Sequence, residues 1–165
     1  MVTTQKKSLK VGKYVNTEHV DTVIRTYKQE RWVHNSDRIG KEDSLSAWYS
    51  VEELEAFLEK AKQHGADGVK MYFAAYPENF TEVPEYAGRQ TVVMVGTKRK
   101  PSINGGSKDK DIYVQTDNGN QILAYNMARL CPPYCGGSKD DGVDFGDEGI
   151  GITIVDRKDK GLMVI

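Results

Sequence analysis

No stretch of this chain approaches the roughly 18 consecutive apolar residues that a membrane-spanning helix requires, and the 165 residues include only two cysteines and five prolines. The first absence leaves no candidate for a helical membrane span, and no membrane association is expected. Lys6, Lys7 and Lys10 precede no apolar core segment, so a secretory leader is not expected. The expected compartment is the cytoplasm, where thiols stay reduced, and two cysteines there do not read as a structural framework. Strong charge of one sign is also missing. The 23 basic and 24 acidic residues leave a net charge of −1, and the pI is near 6.3. That balance argues against a dedicated nucleic-acid binder, which carries a basic excess. Internal repeats and heptads are absent, and no recognised catalytic or nucleotide-binding motif occurs. No cofactor is implied.

What is present is hydrophilic. Apolar residues make up 38% and charged residues 28%, with a mean hydropathy of −0.59. The length suits one domain, residues 1–165, burying roughly 70% of its unfolded surface. Residues 1–15 read as a flexible basic arm or a short edge strand through Leu9-Lys10-Val11, and mobile loops are expected at about 98–111 and 136–149.

The clearest local signal starts at Ser50. Ser50 and Glu53 have capping-box spacing, and Tyr49 and Leu54 are placed as a hydrophobic staple. Leu54, Phe57, Leu58 and Ala61 then follow helical spacing, and Gly65 stands where a left-handed residue ends a helix. An earlier helix is expected from a cap at Asn16 or Thr17, with Val20, Val23, Ile24 and Tyr27 as its core face and its end near Trp32 and Val33. A polar segment from His34 to Ser44 follows, with Gly40 as breaker.

Val69–Phe73, Thr91–Val95, Ile112–Val114 and Ile150–Val155 read as strands, and Leu162–Ile165 as a strand returning beside the last. The continuous apolar run at Thr91–Val95 suggests burial on both faces. If Leu45–Tyr49 is a strand, residues 45–73 form a right-handed β-α-β unit. Lys98-Arg99-Lys100-Pro101 ends the central strand in this reading. Asp117-Asn118-Gly119-Asn120 signals a hairpin, against a competing helix from Gln121 to Arg129. The expected fold is a single α+β domain with two amphipathic helices packed on a small mixed β-sheet.

Five groups of residues carry candidate chemistry. Tyr72, Phe73, Tyr76, Phe80 and Tyr86 concentrate aromatics after Val69–Phe73. Tyr72 alternates opposite to Met71 and Phe73, so one sheet face needs further cover. Tyrosine-rich surface suits protein interaction, which makes Tyr72, Tyr76, Tyr86 and Arg89 the leading binding candidates. His34, between Trp32 and Trp48 and followed by Asp37 and Asp43, is placed to line a small pocket. A hydrolase or transferase built on His34 with Asp37 or Asp43 is a remoter alternative.

Cys131-Pro132-Pro133-Tyr134-Cys135 is a rigid turn able to bring two thiols within disulfide range. It suggests a redox element or half of a metal site, although C-x3-C is not the thioredoxin spacing and zinc wants four ligands. The acidic loop of Asp140, Asp141, Asp144, Asp147 and Glu148 lacks the EF-hand spacing. Asn104-Gly105-Gly106-Ser107-Lys108 lacks the spacing and the following helix of a phosphate loop.

The runs Ser46–Glu53, His64–Phe73, Tyr86–Val93 and Leu130–Cys135 resemble segments of an uncharacterised family of small bacterial cytoplasmic proteins. That resemblance implies a bacterial cytoplasmic origin and carries over no activity and no catalytic residues. The expected function is a non-enzymatic domain binding a protein partner or a small ligand, with a thiol-based redox or metal-binding protein using Cys131 and Cys135 as the alternative. Few strands leave unpaired sheet edges, which is compatible with a homodimer.

Overall fold

The computed structural model describes residues 9–135, together with the backbone of two short strands, Ile154–Asp156 and Leu162–Val164. Residues 9–15 are exposed and carry no regular structure, so Leu9-Lys10-Val11 adds no strand. The expected loop at 136–149 lies outside the described residues, as does most of Ile150–Val155.

Helix α1 (Thr17–Tyr27) begins at Asn16, whose side chain accepts the His19 N–H at 3.0 Å. It does not stop near Trp32. A π-helical turn (Lys28–Trp32) carries it directly into α2 (Val33–Ile39), and Gly40 closes α2 at φ +69°. Gly40 supplies the left-handed cap there, with the Lys41 N–H bonding back to the Ser36 carbonyl at 3.2 Å. The face expected of α1 is not a buried stripe. None of its residues is fully buried, and Val23 is exposed.

Helix α3 (Val51–Gln63) follows the sequence closely. The Glu53 N–H donates to Ser50 Oγ at 3.1 Å and the Ser50 N–H to Glu53 Oε2 at 2.9 Å. At the other end Gly65, at φ +81°, lets the Ala66 N–H reach the Ala61 carbonyl at 2.9 Å. Phe57 and Ala61 are buried, whereas Leu58 is exposed.

The main sheet runs β2 (Gly68–Ala75), β3 (Gln90–Pro101), β4 (Ser107–Asp111), with the short β7 (Ala124–Tyr125) also pairing β3. Every ladder among the described residues is antiparallel. The expected mixed sheet is therefore replaced by antiparallel pairing. No β-α-β unit forms, because β1 (Ser46–Trp48) pairs β8 (Arg129–Cys131) in a separate two-stranded sheet. Lys98–Pro101 does not end the central strand either. It continues as β3 and returns as β4 through a turn in which Gly105 sits at φ +83°, so the expected loop is largely a hairpin.

Asp117-Asn118 closes the hairpin of β5 (Tyr113–Thr116) and β6 (Gly119–Ile122), which stands apart from the main sheet. This excludes the competing helix. Strands β9 (Ile154–Asp156) and β10 (Leu162–Val164) pair only with each other among the described residues.

Helix α3 lies against β3. A Cβ built on Gly96 would fall 3.1 Å from the Leu123 side chain and 3.6 Å from the Ala61 methyl, so a larger residue here would have to push Leu123 aside by a few tenths of an ångström. Met94 and Val95, on opposite faces of β3, are both buried, as its unbroken apolar run implies. A second core gathers Tyr76, Tyr86, Ala128 and the fully buried Leu130, flanked by Tyr49, Phe80, Val83 and Tyr134. The chain is thus an α+β protein, and no helix among the described residues is long and apolar enough to cross a membrane.

Candidate functional site

The backbone of β2 decides which of its groups are free. The Tyr76 N–H donates to the Arg89 carbonyl at 3.0 Å, and the Tyr76 carbonyl accepts from Gly88. Tyr76 therefore points its backbone groups at β3, and so do Ala74, Tyr72 and Lys70 at every second position. Two contacts from β3 agree. Gly96, opposite Val69, bonds to Leu123 and Ile112 on its far side, and the carbonyl of Val92, opposite Phe73, accepts from Asn126 at 2.8 Å. Val69, Met71, Phe73 and Ala75 consequently present their N–H and C=O groups outward. Strand β2 is an edge of its sheet among the described residues.

The same outward residues place apolar side chains on one face. Phe73 is 86% exposed and Met71 64% exposed. On the other face Tyr72 is exposed but held. Its hydroxyl donates to Asp111 Oδ2 at 2.8 Å, and Lys70 Nζ donates to Asp111 Oδ1 at 2.7 Å. That bond from Lys70 draws the Asp111 carboxyl below its usual range, and the Asp111 partnership raises the Lys70 ammonium.

Beside the end of β2 lies an open cleft of about 280 Å³, lined by Asn35 and Arg38 of α2, by Asp43, and by Phe73, Ala75 and Gln90. Its floor is built around buried Asp43. The Asp43 Oδ1 accepts the N–H of Ser44 and the N–H of Gln90, both at 2.7 Å. The Asp43 carbonyl accepts from Trp32 Nε1 at 2.8 Å, and the Ser36 hydroxyl accepts its N–H. Tyr27 donates to Gln90 Oε1 at 2.6 Å. These bonds fix the long helix against the start of β3. They also occupy the Asp43 carboxylate with structural work.

The candidate residues separate on this framework. Tyr76 and Tyr86, read as surface, are core side chains at 7% and 5% exposure. Tyr76 stacks on Phe80 at 4.4 Å between ring centroids and donates to Asn126 Oδ1 at 2.8 Å. Tyr86 accepts the N–H of Leu130 at 3.2 Å. Arg89 is buried as well, donating from Nε to the Glu85 carbonyl at 2.8 Å and from a terminal nitrogen to the Glu42 carbonyl. Burial pushes its pKa down, opposed by the nearby Asp43 and Glu42 carboxylates.

His34 is exposed on α2 rather than in a polar loop, because the helix continues past Trp32. With the Asp43 carboxylate buried and bonded to backbone amides, no His–Asp pair forms there. Trp48 is half exposed on β1, with the Arg129 guanidinium 4.1 Å from its ring centroid. That is a cation–π contact across the β1–β8 ladder.

Cys131 and Cys135 are bonded to each other. Cys131 is buried, Cys135 is partly exposed, and the Cys131–Pro132 and Pro132–Pro133 peptide bonds are cis. The Leu45 N–H donates to the Cys131 carbonyl at 2.7 Å and the Ser44 hydroxyl to the Pro132 carbonyl at 3.2 Å, so the turn is anchored beside Asp43. The expectation of two separate reduced thiols differs from this arrangement. Bonded sulfurs offer no thiolate to a metal. Among the described residues no cluster of three or more His, Cys, Asp or Glu side chains is arranged to hold a metal ion.

Sequence reasoning left open which face of this strand is covered, so it did not single out Met71 and Phe73 as the exposed residues. It also missed Asn35 and Arg38, which no motif marks. Comparison with protein-family models, curated proteins and solved structures finds no match to this chain.

Proposed function

We propose that this chain is a non-enzymatic interaction protein whose recognition surface is the outward edge of β2, with Met71, Tyr72 and Phe73 as its contact residues. The observation that carries this reading is a nearly fully exposed Phe73 on a strand whose outward backbone groups are unpaired among the described residues. Natural edges are normally blunted by proline, bulges or outward charge. Here the one charged side chain on β2, Lys70, is tied to Asp111. An extended segment added to this edge would gain affinity from main-chain hydrogen bonds and specificity from Phe73 and the adjoining cleft.

Selection from a displayed library of random peptides tests this. Extended apolar peptides are expected to be enriched on the wild-type protein and lost on Phe73→Lys, whose melting temperature should stay within about 2 °C of wild type. Enrichment that is indifferent to Phe73→Lys would move the site elsewhere.

A second reading rests on the Cys131–Cys135 bond: a thiol-based redox element. In the cytoplasm, the compartment we propose, such a bond would be transient. Alkylation of thiols in intact cells followed by mass measurement decides it. A bond that opens and closes with the cellular redox state supports the switch, and a permanently bonded pair reduces it to a structural staple.

A further inference from the structure

Resting on the reading of β2 as a recognition edge, we infer that its occupant is β2 of a second copy of this chain, laid antiparallel about a two-fold axis at Met71. An isologous interface needs a surface complementary to itself, and the outward residues of β2 meet that condition. With Met71 facing Met71 of the second copy, Val69 faces Phe73 of the second copy and Phe73 faces Val69. All of these carry outward backbone groups, so each pair exchanges both of its N–H···O=C bonds. The side chains agree with this register. Val69, Met71 and Phe73 share one face, and the two-fold joins both rows into one apolar strip across the junction.

On the other face Lys70 lies opposite Tyr72 of the second copy, in the non-hydrogen-bonded pairs where side chains approach closest. A cation there meets an aromatic ring. Charge does not oppose the approach, because Lys70 is the one charged residue between Gly68 and Ala75 and is already paired with Asp111 at 2.7 Å. Two net-neutral edges of this kind do not repel, whereas an outward lysine would block the pairing.

The position of the axis follows from the surroundings. Ala75 shares the wall of the cleft with Asn35 and Arg38 of α2. Centring the pair on Met71 ends the added strand opposite Ala74, so it borders the cleft at Phe73 and Ala74 and leaves Ala75 uncovered. Pairing one strand of this length makes an interface at the small end of specific contacts, so the dimer forms and dissociates with concentration.

Sedimentation velocity from roughly 1 μM to 1 mM, with site-directed cross-linking, tests this. Wild type is expected to shift from monomer to dimer over that range. Phe73→Lys is expected to weaken the dimer about tenfold or more by setting a charge against the apolar strip. Met71→Pro deletes an outward N–H without touching a bond to β3, and is expected to abolish the dimer.

Met71→Cys should oxidise to a covalent dimer, since facing residues in such a pair lie about 5.5 Å apart at Cα. Val69→Cys, facing Phe73, should not. A wild type that stays monomeric throughout, or a dimer unaffected by Phe73→Lys and not cross-linked through Met71→Cys, overturns the inference. Monomeric protein that still selects peptides through Phe73 leaves the recognition edge standing with a foreign strand as its occupant. Loss of both refutes both readings.

Discussion

Met71-Tyr72-Phe73 and the segment from Tyr76 to Tyr86 belong to one aromatic-rich stretch, yet they lie in opposite environments. Phe73 is 86% exposed, and Tyr76 is 7% exposed. Composition does not separate them. Cover and hydrogen bonding do. Tyr76 finds Phe80 and Tyr86 to stack on and Asn126 to receive its hydroxyl proton, and Tyr86 satisfies the backbone of Leu130. Phe73 reaches the outward edge of β2, and the described residues do not cover it. A tyrosine can enter a core only where its hydroxyl is matched, so the buried half of the stretch is structural, and the exposed half is the part we propose for recognition.

The largest expected effect breaks that contrast directly. Tyr86→Ala removes a buried ring and leaves the buried Leu130 N–H without its acceptor, and should cost about 3–5 kcal/mol of stability in denaturant unfolding. Phe73→Ser, a change of similar size on the exposed side, should stay within about 0.5 kcal/mol. Equal losses at the two positions would mean that Phe73 is packed in solution, and the edge would not be open.

Asp43 sharpens the comparison from the other side of the cleft. Asp43→Ala leaves two amide donors, of Ser44 and Gln90, without their charged acceptor. It should cost about 2–3 kcal/mol. Trp32 and Ser36 bond to the backbone of residue 43, which alanine keeps, so amide exchange should accelerate at Ser44 and Gln90 along with that loss, not along α2. Asp37→Ala, at an exposed position on the same helix, should do neither.

How far these features could be read in advance depends on whether their causes are local. The capping box at Ser50 and Glu53, the left-handed Gly65 and the hairpin at Asp117–Asn120 are each set by a few neighbouring residues, and each forms as expected, with Asp117-Asn118 as the two turn residues. The junction of the long helix with α2 is not legible in the sequence, because a π turn gives no periodic signal. The partner of β1 is not legible either, because its ladder to β8 joins residues distant in sequence. The candidate site was legible only in outline. The aromatic run marked the stretch, but separating the exposed Phe73 from the buried Tyr76 required knowing what lies across from each. Arg89 carried the same ambiguity, since an arginine donating to the carbonyls of Glu42 and Glu85 has no sequence signature.

The smallest expected effect concerns the inner face of β2, where Lys70 and Tyr72 converge on Asp111. The bond from Lys70 lowers the Asp111 pKa below its ordinary 3.8. A depressed carboxyl contributes stability that is present above the unfolded value and is lost as pH falls through the lower folded value. The matching shift on Lys70 is upward from 10.5. Its contribution is complete below that pH and disappears as pH rises through the folded value. Both groups meet solvent, so screening keeps the effect small and salt-dependent. Asp111→Asn should therefore flatten the acid limb of the stability curve below about pH 4 at low salt, while leaving the neutral plateau nearly unchanged. The same substitution leaves Lys70 unpaired on β2. If the two-fold pairing centred on Met71 holds, it should weaken the dimer more than it weakens the fold, because each copy then brings an uncompensated charge to the junction. A variant that unfolds more readily but dimerises as before would show that the Lys70–Asp111 pair serves the sheet and plays no part at its edge.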